Sequence, residues 1–192
     1  ELDCGDKSMN DILFALWFFA PAGLANTVPV FAARIKSLDR LGKPLDGGKT
    51  YRGKRIFGAN KTYRGLLAAI ITGVFIAMIQ MFVFSSNSWV AAIVDRIDYG
   101  SFSILLLGGL LGTGAIIGDA LKSFFKRQIG VDSGKSWFPF DQIDYVIGGI
   151  LFSLLYTVLD IEIYTYILLF YFVLHLLAVY GGWLLNIRKD PI

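Results

Sequence analysis

Three aspartates are the residues of this sequence best suited to catalytic chemistry. Asp119 follows Gly118 at the end of one apolar segment, and Asp141 and Asp144 stand where the next apolar segment begins. Asp141 and Asp144 are three residues apart, so they share a face if that stretch is helical. Hard oxygen ligands suit Mg²⁺, and a divalent cation relieves the repulsion between clustered carboxylates. The spacing predicts a magnesium site formed by these three acids; the alternative is that each acid pairs with a nearby Lys or Arg or caps a helix.

Basic and hydroxyl side chains lie between these acids in the sequence. They are Lys122, Ser123, Lys126, Arg127 and Lys135. A basic cluster beside a membrane needs no more explanation than attraction to anionic lipid. Phosphoryl-transfer sites, however, hold phosphates with metal ions and cationic side chains together, and the alternation of cations with candidate metal ligands favours that interpretation.

A second basic stretch lies upstream, where ten of the 18 Lys and Arg residues fall between positions 34 and 64. Its last part contains glycines that permit tight turns and several hydrogen-bond donors. The donors and cations of interest are Lys54, Arg55, Asn60, Lys61, Thr62 and Arg64. The spacing of a Walker A loop is missing. Two interpretations therefore stay open, a loop that binds phosphate and a basic loop that lies on a membrane surface.

The composition indicates that these residues are positioned by membrane helices. The chain of 192 residues is 55% hydrophobic and 17% charged, which is too apolar for a soluble domain of this size. Five apolar segments stand out, at about residues 12–33, 66–84, 102–117, 145–159 and 163–185. A crossing helix needs roughly 20 residues, so the third and fourth segments look short and either borrow flanking residues or end at a polar cavity. The predicted fold is all-α, a single membrane domain over residues 1–192 with five transmembrane helices and two long cytoplasmic loops.

The distribution of charge predicts the topology of this bundle. Residues 34–64, residues 118–144 and the C-terminal tail together carry 16 of the 18 basic residues. By the positive-inside rule these segments face the cytoplasm, so the N-terminus lies outside and the C-terminus inside a cell membrane that the chain crosses several times. The candidate chemistry then belongs to the two cytoplasmic loops.

Several single residues refine this interpretation. Pro21 and Pro29 are expected to kink the first helix, or to mark an unwound stretch facing a cavity. The segment resembles a signal peptide, but its acidic flank argues for a retained helix.

His175, the only histidine, is expected to be a buried hydrogen-bonding residue of the last helix. The lone Cys4 excludes a disulfide within the chain and a cysteine-based metal cluster.

Three stretches of the sequence resemble the archaeal CDP-archaeol synthase family, which is related to bacterial CDP-diacylglycerol synthases. They are Arg55-Ile-Phe-Gly-Ala-Asn-Lys-Thr-Tyr-Arg-Gly65, Gly118-Asp119 followed by Ser123-Phe-Phe-Lys-Arg127, and Asp141-Gln-Ile-Asp144. The likeness to the bacterial branch is local. Gln142 and Arg64 stand where the bacterial signature has Arg and Glu, and these departures favour the archaeal branch.

The resemblance implies transfer of CMP from CTP to an unsaturated ether lipid, 2,3-bis-O-geranylgeranylglycerol 1-phosphate, with release of pyrophosphate. For this reaction we expect Mg²⁺ on Asp119, Asp141 and Asp144, with Lys126 and Arg127 as further catalytic residues. We also expect a nucleotide- and phosphate-binding group made of Lys54, Arg55, Asn60, Lys61, Thr62, Arg64, Lys122 and Ser123. The implied partners are CTP, a prenyl-ether glycerol phosphate and the membrane, with no nucleic acid and no obligatory protein partner.

Other classes of protein compete with this interpretation. A small cation transporter or channel could use the acids at the membrane edge, although no internal repeat is visible in the sequence. A scaffold could recruit anionic lipid or nucleic acid through the basic loop and its aromatic residues. A phosphotransferase that consumes a CDP-lipid would require a dense four-acid pattern that this sequence lacks.

Overall fold

The computed structural model describes residues 4–132 and 135–184, with side chains from residue 7 onward. Six α-helices make up most of this part of the chain. They are α1 (Cys4–Ala32), α2 (Tyr63–Ser86), α3 (Ser88–Ile93), α4 (Ser103–Gln128), α5 (Phe140–Ser153) and α6 (Ile161–Leu184). Helix α4 lies at the centre and packs against α1, α2 and α5, while α6 packs against α1 and α5. The site residues on α4 are therefore held by contacts on several sides.

Four of these helices are long and apolar enough to cross a membrane: residues Lys7–Ala32 of α1, then α2, α4 and α6. Helix α5 has 14 residues and rises about 21 Å, which is less than the roughly 30 Å of a hydrocarbon core. The described helices are thus four candidate spans and two shorter helices, α3 and α5. The prediction of five transmembrane helices is supported only in part.

The third apolar segment borrows flanking residues, as one of the two expectations for it allowed. Helix α4 runs without interruption from Ser103 to Gln128 and has 26 residues. The prediction of a loop over residues 118–144 is therefore wrong at both ends, because residues 118–128 belong to α4 and residues 140–144 to α5. Helix α4 continues because Ala120, Leu121 and Lys122 keep high helix propensity and no proline or glycine follows Gly118 before position 130.

Helix α1 continues through both prolines from Cys4 to Ala32, which contradicts one of the two expectations for it, an unwound stretch. Neighbouring helices and local backbone adjustments compensate for the missing proline donors in a membrane helix. Pro21 is fully buried in this packing. The expectation of an unwound stretch between the prolines is wrong.

The basic stretch between α1 and α2 is folded rather than extended. It contains a 3-10 helix (Lys36–Leu41) and a hairpin of two short strands, β1 (Thr50–Tyr51) and β2 (Lys54–Arg55). Arg52 and Gly53 at the hairpin turn both have positive φ, as a tight two-residue turn requires. The described residues are mostly helical, as predicted, and this hairpin of two two-residue strands is a small exception.

The end of the bundle opposite this basic stretch is fixed by a buried acid. Asp11 of α1 pairs with Arg96 in the connection before α4, and the Arg96 guanidinium lies 5.4 Å from the centre of the Phe14 ring. Arg96 also lies 3.9 Å from Asp160, which precedes α6. The C-terminal tail contributes two basic residues to the charge distribution from which the topology was predicted. It lies outside the described residues.

Candidate active site

Close packing between α4 and α5 places the acidic residues next to one another. A Cβ added to Gly118 would collide with the carbonyl oxygen of Asp144 and lie 3.0 Å from the Cα of Gly148. Small residues allow this approach of two backbones in a membrane. The glycines bring Asp119, one residue after Gly118, beside Asp144.

The three aspartates converge on a single ammonium group. Nζ of Lys122 lies 3.2 Å from Oδ1 of Asp119, 2.6 Å from Oδ1 of Asp141 and 2.8 Å from Oδ2 of Asp144. Lys122 is one helical turn after Asp119 on α4, so it points to the same side of the helix. The structure therefore brings together the three carboxylates, and it fills the space between them with the side chain of Lys122.

Two more lysines complete this cluster. Lys61, from the segment just before α2, pairs with Oδ2 of Asp119. Lys126, one turn after Lys122 on α4, donates to both carboxylate oxygens of Asp141 at 3.1 and 2.9 Å. Three carboxylates are thus balanced by three ammonium groups. We call Asp119, Asp141, Asp144, Lys61, Lys122 and Lys126 the acid–lysine cluster.

The electrostatics of Asp141 agree with this balance. Burial disfavours the charged form of its carboxyl, but hydrogen bonds from Lys122 and Lys126 and from the backbone N–H of Trp137 outweigh that cost and hold the pKa of Asp141 below its usual 3.8. Asp141 also lies in the first turn of α5, where a negative charge is favoured by the helix dipole. The Asp141 carboxylate is therefore ionised near neutral pH.

The fit of this cluster to a metal ion depends on Lys122. Within residues 4–132 and 135–184, no group of three His, Cys, Asp or Glu side chains is arranged to hold a metal ion as it stands. The donors themselves are hard carboxylate oxygens, and all three residues already contact one cationic group. By its chemistry the donor set fits Mg²⁺, provided that the Lys122 ammonium leaves the space between the acids.

Arg127 and Lys54 bring the basic stretch to the end of α4. Arg127 Nη1 donates to the carbonyl oxygen of Val131, whereas its Nε is buried without a hydrogen-bond partner. Lys54 of β2 donates to the carbonyl oxygen of Gln128 at 2.8 Å. The end of α4 therefore presents a guanidinium with one unused donor beside the folded basic stretch.

Arg55 forms a structural ion pair with Asp46, which is not among the predicted site residues. Asp46 accepts hydrogen bonds from Arg55, from Gly48 N at 2.9 Å, from Phe57 N at 3.0 Å and from Gly58 N at 3.1 Å. Its carboxylate is completely buried. The sequence feature that could have indicated this role is Asp46-Gly-Gly, because an aspartate that accepts from the backbone N–H two residues later commonly forms a turn.

The other predicted binding residues lie around this stretch with different roles in the structure. Thr62 is the N-cap of α2 and accepts from Gly65 N, and Arg64 pairs with the exposed Asp39 at 2.9 Å. Asn60 is exposed, and Ser123 is buried one turn from Asp119. Of the predicted set, only Lys61, Lys122 and Lys126 contact the three aspartates directly.

A cavity of about 380 Å³ opens between α1, α5 and α6. Its lining includes Asn26, Thr27, Tyr145, Tyr171 and His175. Tyr145 directly follows Asp144 on α5, so the helix that carries two of the three acids also forms part of the cavity wall. His175 is half-buried and its ring lies 5.6 Å from that of Tyr145, so it lines this cavity rather than sitting deep in the core.

The comparison with known proteins decides the family. Residues 9–191 match the model of the CarS-like CDP-archaeol synthase family. The chain belongs to the CDP-archaeol synthase family. The CDP-archaeol synthase of Methanosarcina barkeri is 36% identical over 166 residues, covering 78% of this chain and 90% of that protein. The CDP-archaeol synthase of Methanocaldococcus jannaschii is 32% identical over 185 residues, covering 92% and 96%.

A solved structure agrees with this family assignment. It is described as an intramembrane enzyme for archaeal membrane lipids biosynthesis, and it has a TM-score of 0.69 and 26% sequence identity over 87% of this chain and 93% of its own. Membership of the CDP-archaeol synthase family confirms the resemblance that the three sequence stretches carry. The alternative of a cation transporter or channel has no support.

Proposed function

We propose that this chain is a membrane cytidylyltransferase that transfers CMP from CTP to a prenyl-ether glycerol phosphate and releases pyrophosphate. The preferred acceptor is 2,3-bis-O-geranylgeranylglycerol 1-phosphate, and the product is a CDP-archaeol-type lipid. The observation that carries this proposal is that Asp119, Asp141 and Asp144 all contact the Lys122 ammonium group, beside the basic stretch. Family membership and the names of the relatives support the choice of reaction.

The acceptor supplies its own nucleophile. The second pKa of a phosphate monoester is about 6, so an ionised phosphate oxygen is available at neutral pH without a base from the protein. That oxygen attacks the α-phosphorus of CTP, a new P–O bond forms, and the bond to the bridging oxygen of the β-phosphate breaks. The absence of histidine from the acid–lysine cluster is consistent with this chemistry.

The main difficulty of the reaction is repulsion between two anionic substrates. Asp119, Asp141 and Asp144 would hold Mg²⁺, which stabilises negative charge on phosphoryl oxygens when it is bound. Lys61, Lys122 and Lys126 would supply further positive charge toward the triphosphate and the lipid phosphate. Such preorganised charge is worth more in a site screened from water than it is at an exposed surface.

The unused donor of Arg127 supports a second contact to phosphate. A buried guanidinium N–H without a partner is costly unless a ligand accepts from it. Arg127 is a fixed, permanently charged donor that suits phosphate oxygens. Lys54, which bonds the carbonyl oxygen of Gln128 next to Arg127, and the exposed Asn60 of the same basic stretch are candidates for further nucleotide contacts.

The cavity between α1, α5 and α6 supports the approach of the acceptor from the bilayer. Its wall includes Tyr145, the residue after Asp144, and residues of the candidate membrane span α6. A glycerol backbone in this cavity would leave its prenyl chains among apolar helices and its phosphate near the acids. The basic segments would face the cytoplasm, where CTP is present, with the N-terminus outside the cell membrane.

The direct test incubates purified protein with labelled CTP, Mg²⁺ and the geranylgeranylated glycerol phosphate. We expect label in the organic phase together with an equal amount of pyrophosphate, and loss of both when the metal is chelated. An acyl-ester glycerol phosphate tested in parallel measures acceptor selectivity. Folded protein that forms no lipid-soluble nucleotide with any of these acceptors would contradict the proposal.

A further inference from the structure

The side chain of Lys122 has a position that an ordinary phosphate-binding lysine does not need. Its ammonium lies within 3.2 Å of all three aspartates, and only 14% of its side chain is exposed. In an open phosphate-binding site without ligand, a lysine usually extends into solvent, because the free ammonium is strongly hydrated. Here the ammonium takes the position at which a cation bound by all three acids would lie.

The position of the Lys122 ammonium affects how strongly the three acids attract a divalent ion. Three ammonium groups face three carboxyl groups, so the nucleotide-free cluster has no excess negative charge that would draw in a divalent ion. Removal of the lysine charge would leave partly buried carboxylates close together, an arrangement that favours binding of a cation or a proton. Lys122 therefore controls how strongly the acids attract metal.

From this geometry we infer that Lys122 is a tethered counter-ion that competes with divalent metal for the three aspartates. This inference rests on the proposed function, since it concerns the metal expected at the same acids. In the free protein the ammonium keeps metal affinity low. When a nucleotide triphosphate brings its own negative charge, the lysine exchanges the carboxylates for phosphate oxygens and the acids become available to the metal.

The exchange has a thermodynamic consequence. Because one group switches between two sets of partners, nucleotide and metal bind with positive coupling, and each raises the affinity of the protein for the other by the same factor. Metal without nucleotide should bind weakly. The coupling should be smaller in a variant without the Lys122 charge, since no competitor has to be displaced.

The test measures binding of Mn²⁺ to the nucleotide-free protein in detergent by electron paramagnetic resonance. We expect Lys122→Met to bind Mn²⁺ at least about tenfold more tightly than the wild type, in the range of ordinary coupling between two ligands. Lys122→Arg keeps the charge and should show no such gain. Lys126→Met, which removes a lysine that contacts Asp141 but neither of the other two acids, should show a smaller gain.

A second measurement covers the possibility that Lys122→Met folds poorly. The variant is purified in Mg²⁺, and its thermal unfolding is followed before and after chelation. We expect chelation to lower its melting temperature clearly more than that of the wild type. Equal effects of chelation on both proteins, or an unchanged Mn²⁺ affinity in Lys122→Met, would overturn the inference.

The cytidylyltransferase assay separates this inference from the proposed function. If the wild type forms the CDP-lipid with Mg²⁺ while Lys122→Met gains no metal affinity, only the counter-ion role is wrong. If the wild type forms no CDP-lipid, the proposed function itself is wrong, whatever the Mn²⁺ measurement gives.

Discussion

Gly118 packs directly against the backbone of Asp144, and a Cβ at position 118 would collide with the carbonyl oxygen of that aspartate. This contact sets how closely α4 and α5 approach. Since Asp119 follows Gly118, it also sets the distance between two of the three acids. The geometry of the acid–lysine cluster is therefore a consequence of helix packing at one glycine.

Gly118→Ala should lower both stability and activity. The added methyl group meets backbone atoms that cannot move aside, and overpacking of this kind costs about 1–3 kcal/mol of unfolding free energy. It would also shift Asp119 away from Asp144. Thermal unfolding in detergent and CDP-lipid formation measure the two effects. Gly181→Ala in α6 is the matched control, because a Cβ there meets no atom within 4 Å; equal behaviour of the two variants would contradict the packing argument.

Replacement of any one of the three aspartates by Asn should reduce turnover by about a hundredfold or more, because a metal ion contributes several kcal/mol of charge stabilisation to such reactions. Asn keeps the size of the side chain and removes its charge. The rate of CDP-lipid formation at saturating CTP is the measurement. Asp95→Asn, at an exposed residue outside the acid–lysine cluster, is the control. Near-normal turnover in Asp141→Asn or Asp144→Asn would remove that acid from the proposed metal site.

Lys61→Met and Arg127→Met should each weaken CTP binding by about tenfold or more, since a hydrogen bond to a charged group is worth about 1.5–3 kcal/mol. Lys61 joins the basic stretch to Asp119, and Arg127 carries the buried donor without a partner. Calorimetric titration of CTP into folded protein measures the effect. Lys36→Met removes an exposed charge of the 3-10 helix and should change affinity little. Unchanged affinity in Arg127→Met would show that its Nε does not meet the nucleotide.

Asp46→Asn should loosen the folded basic stretch. Burial disfavours the charged form of Asp46, but Arg55 and the backbone N–H groups of Gly48, Gly58 and Phe57 hold its pKa well below the usual 3.8. The loss of these charge-assisted bonds should cost about 1.5–3 kcal/mol locally. Faster amide hydrogen exchange at Phe57 and Gly58 is the measurement. Asp39→Asn, which breaks an exposed ion pair, should cost at most about 1 kcal/mol.

The same carboxylate predicts a dependence on pH. Because the folded-state pKa of Asp46 is depressed, its stabilising contribution is complete above about pH 4 and is lost as the pH falls through the folded-state value. The difference in protection between wild type and Asp46→Asn should therefore be constant from pH 7 to about 5 and shrink in more acidic solution. A difference that grew on acidification would contradict the role of the ionised carboxylate.

The sequence alone determined the membrane character of the protein and its family. Apolar length and the distribution of Lys and Arg are local properties of a chain, and they do not depend on which helices touch. The same holds for the three stretches that resemble CDP-archaeol synthases, which the comparison with known proteins confirmed over residues 9–191. The acids of the candidate site could also be named from their positions at the ends of two apolar segments.

The tertiary structure alone decided how far the helices extend and which charges meet. The sequence could not show that α4 continues to Gln128 or that α5 ends at Ser153, because tertiary packing fixes the ends of helices that share a core. Nor could it show that Lys122 contacts all three aspartates while Arg55 belongs to Asp46. Lys122 and Asp141 are 19 residues apart in the chain and lie on different helices. Whether they meet is decided by the distance between the packed backbones of α4 and α5, which depends on glycines such as Gly118.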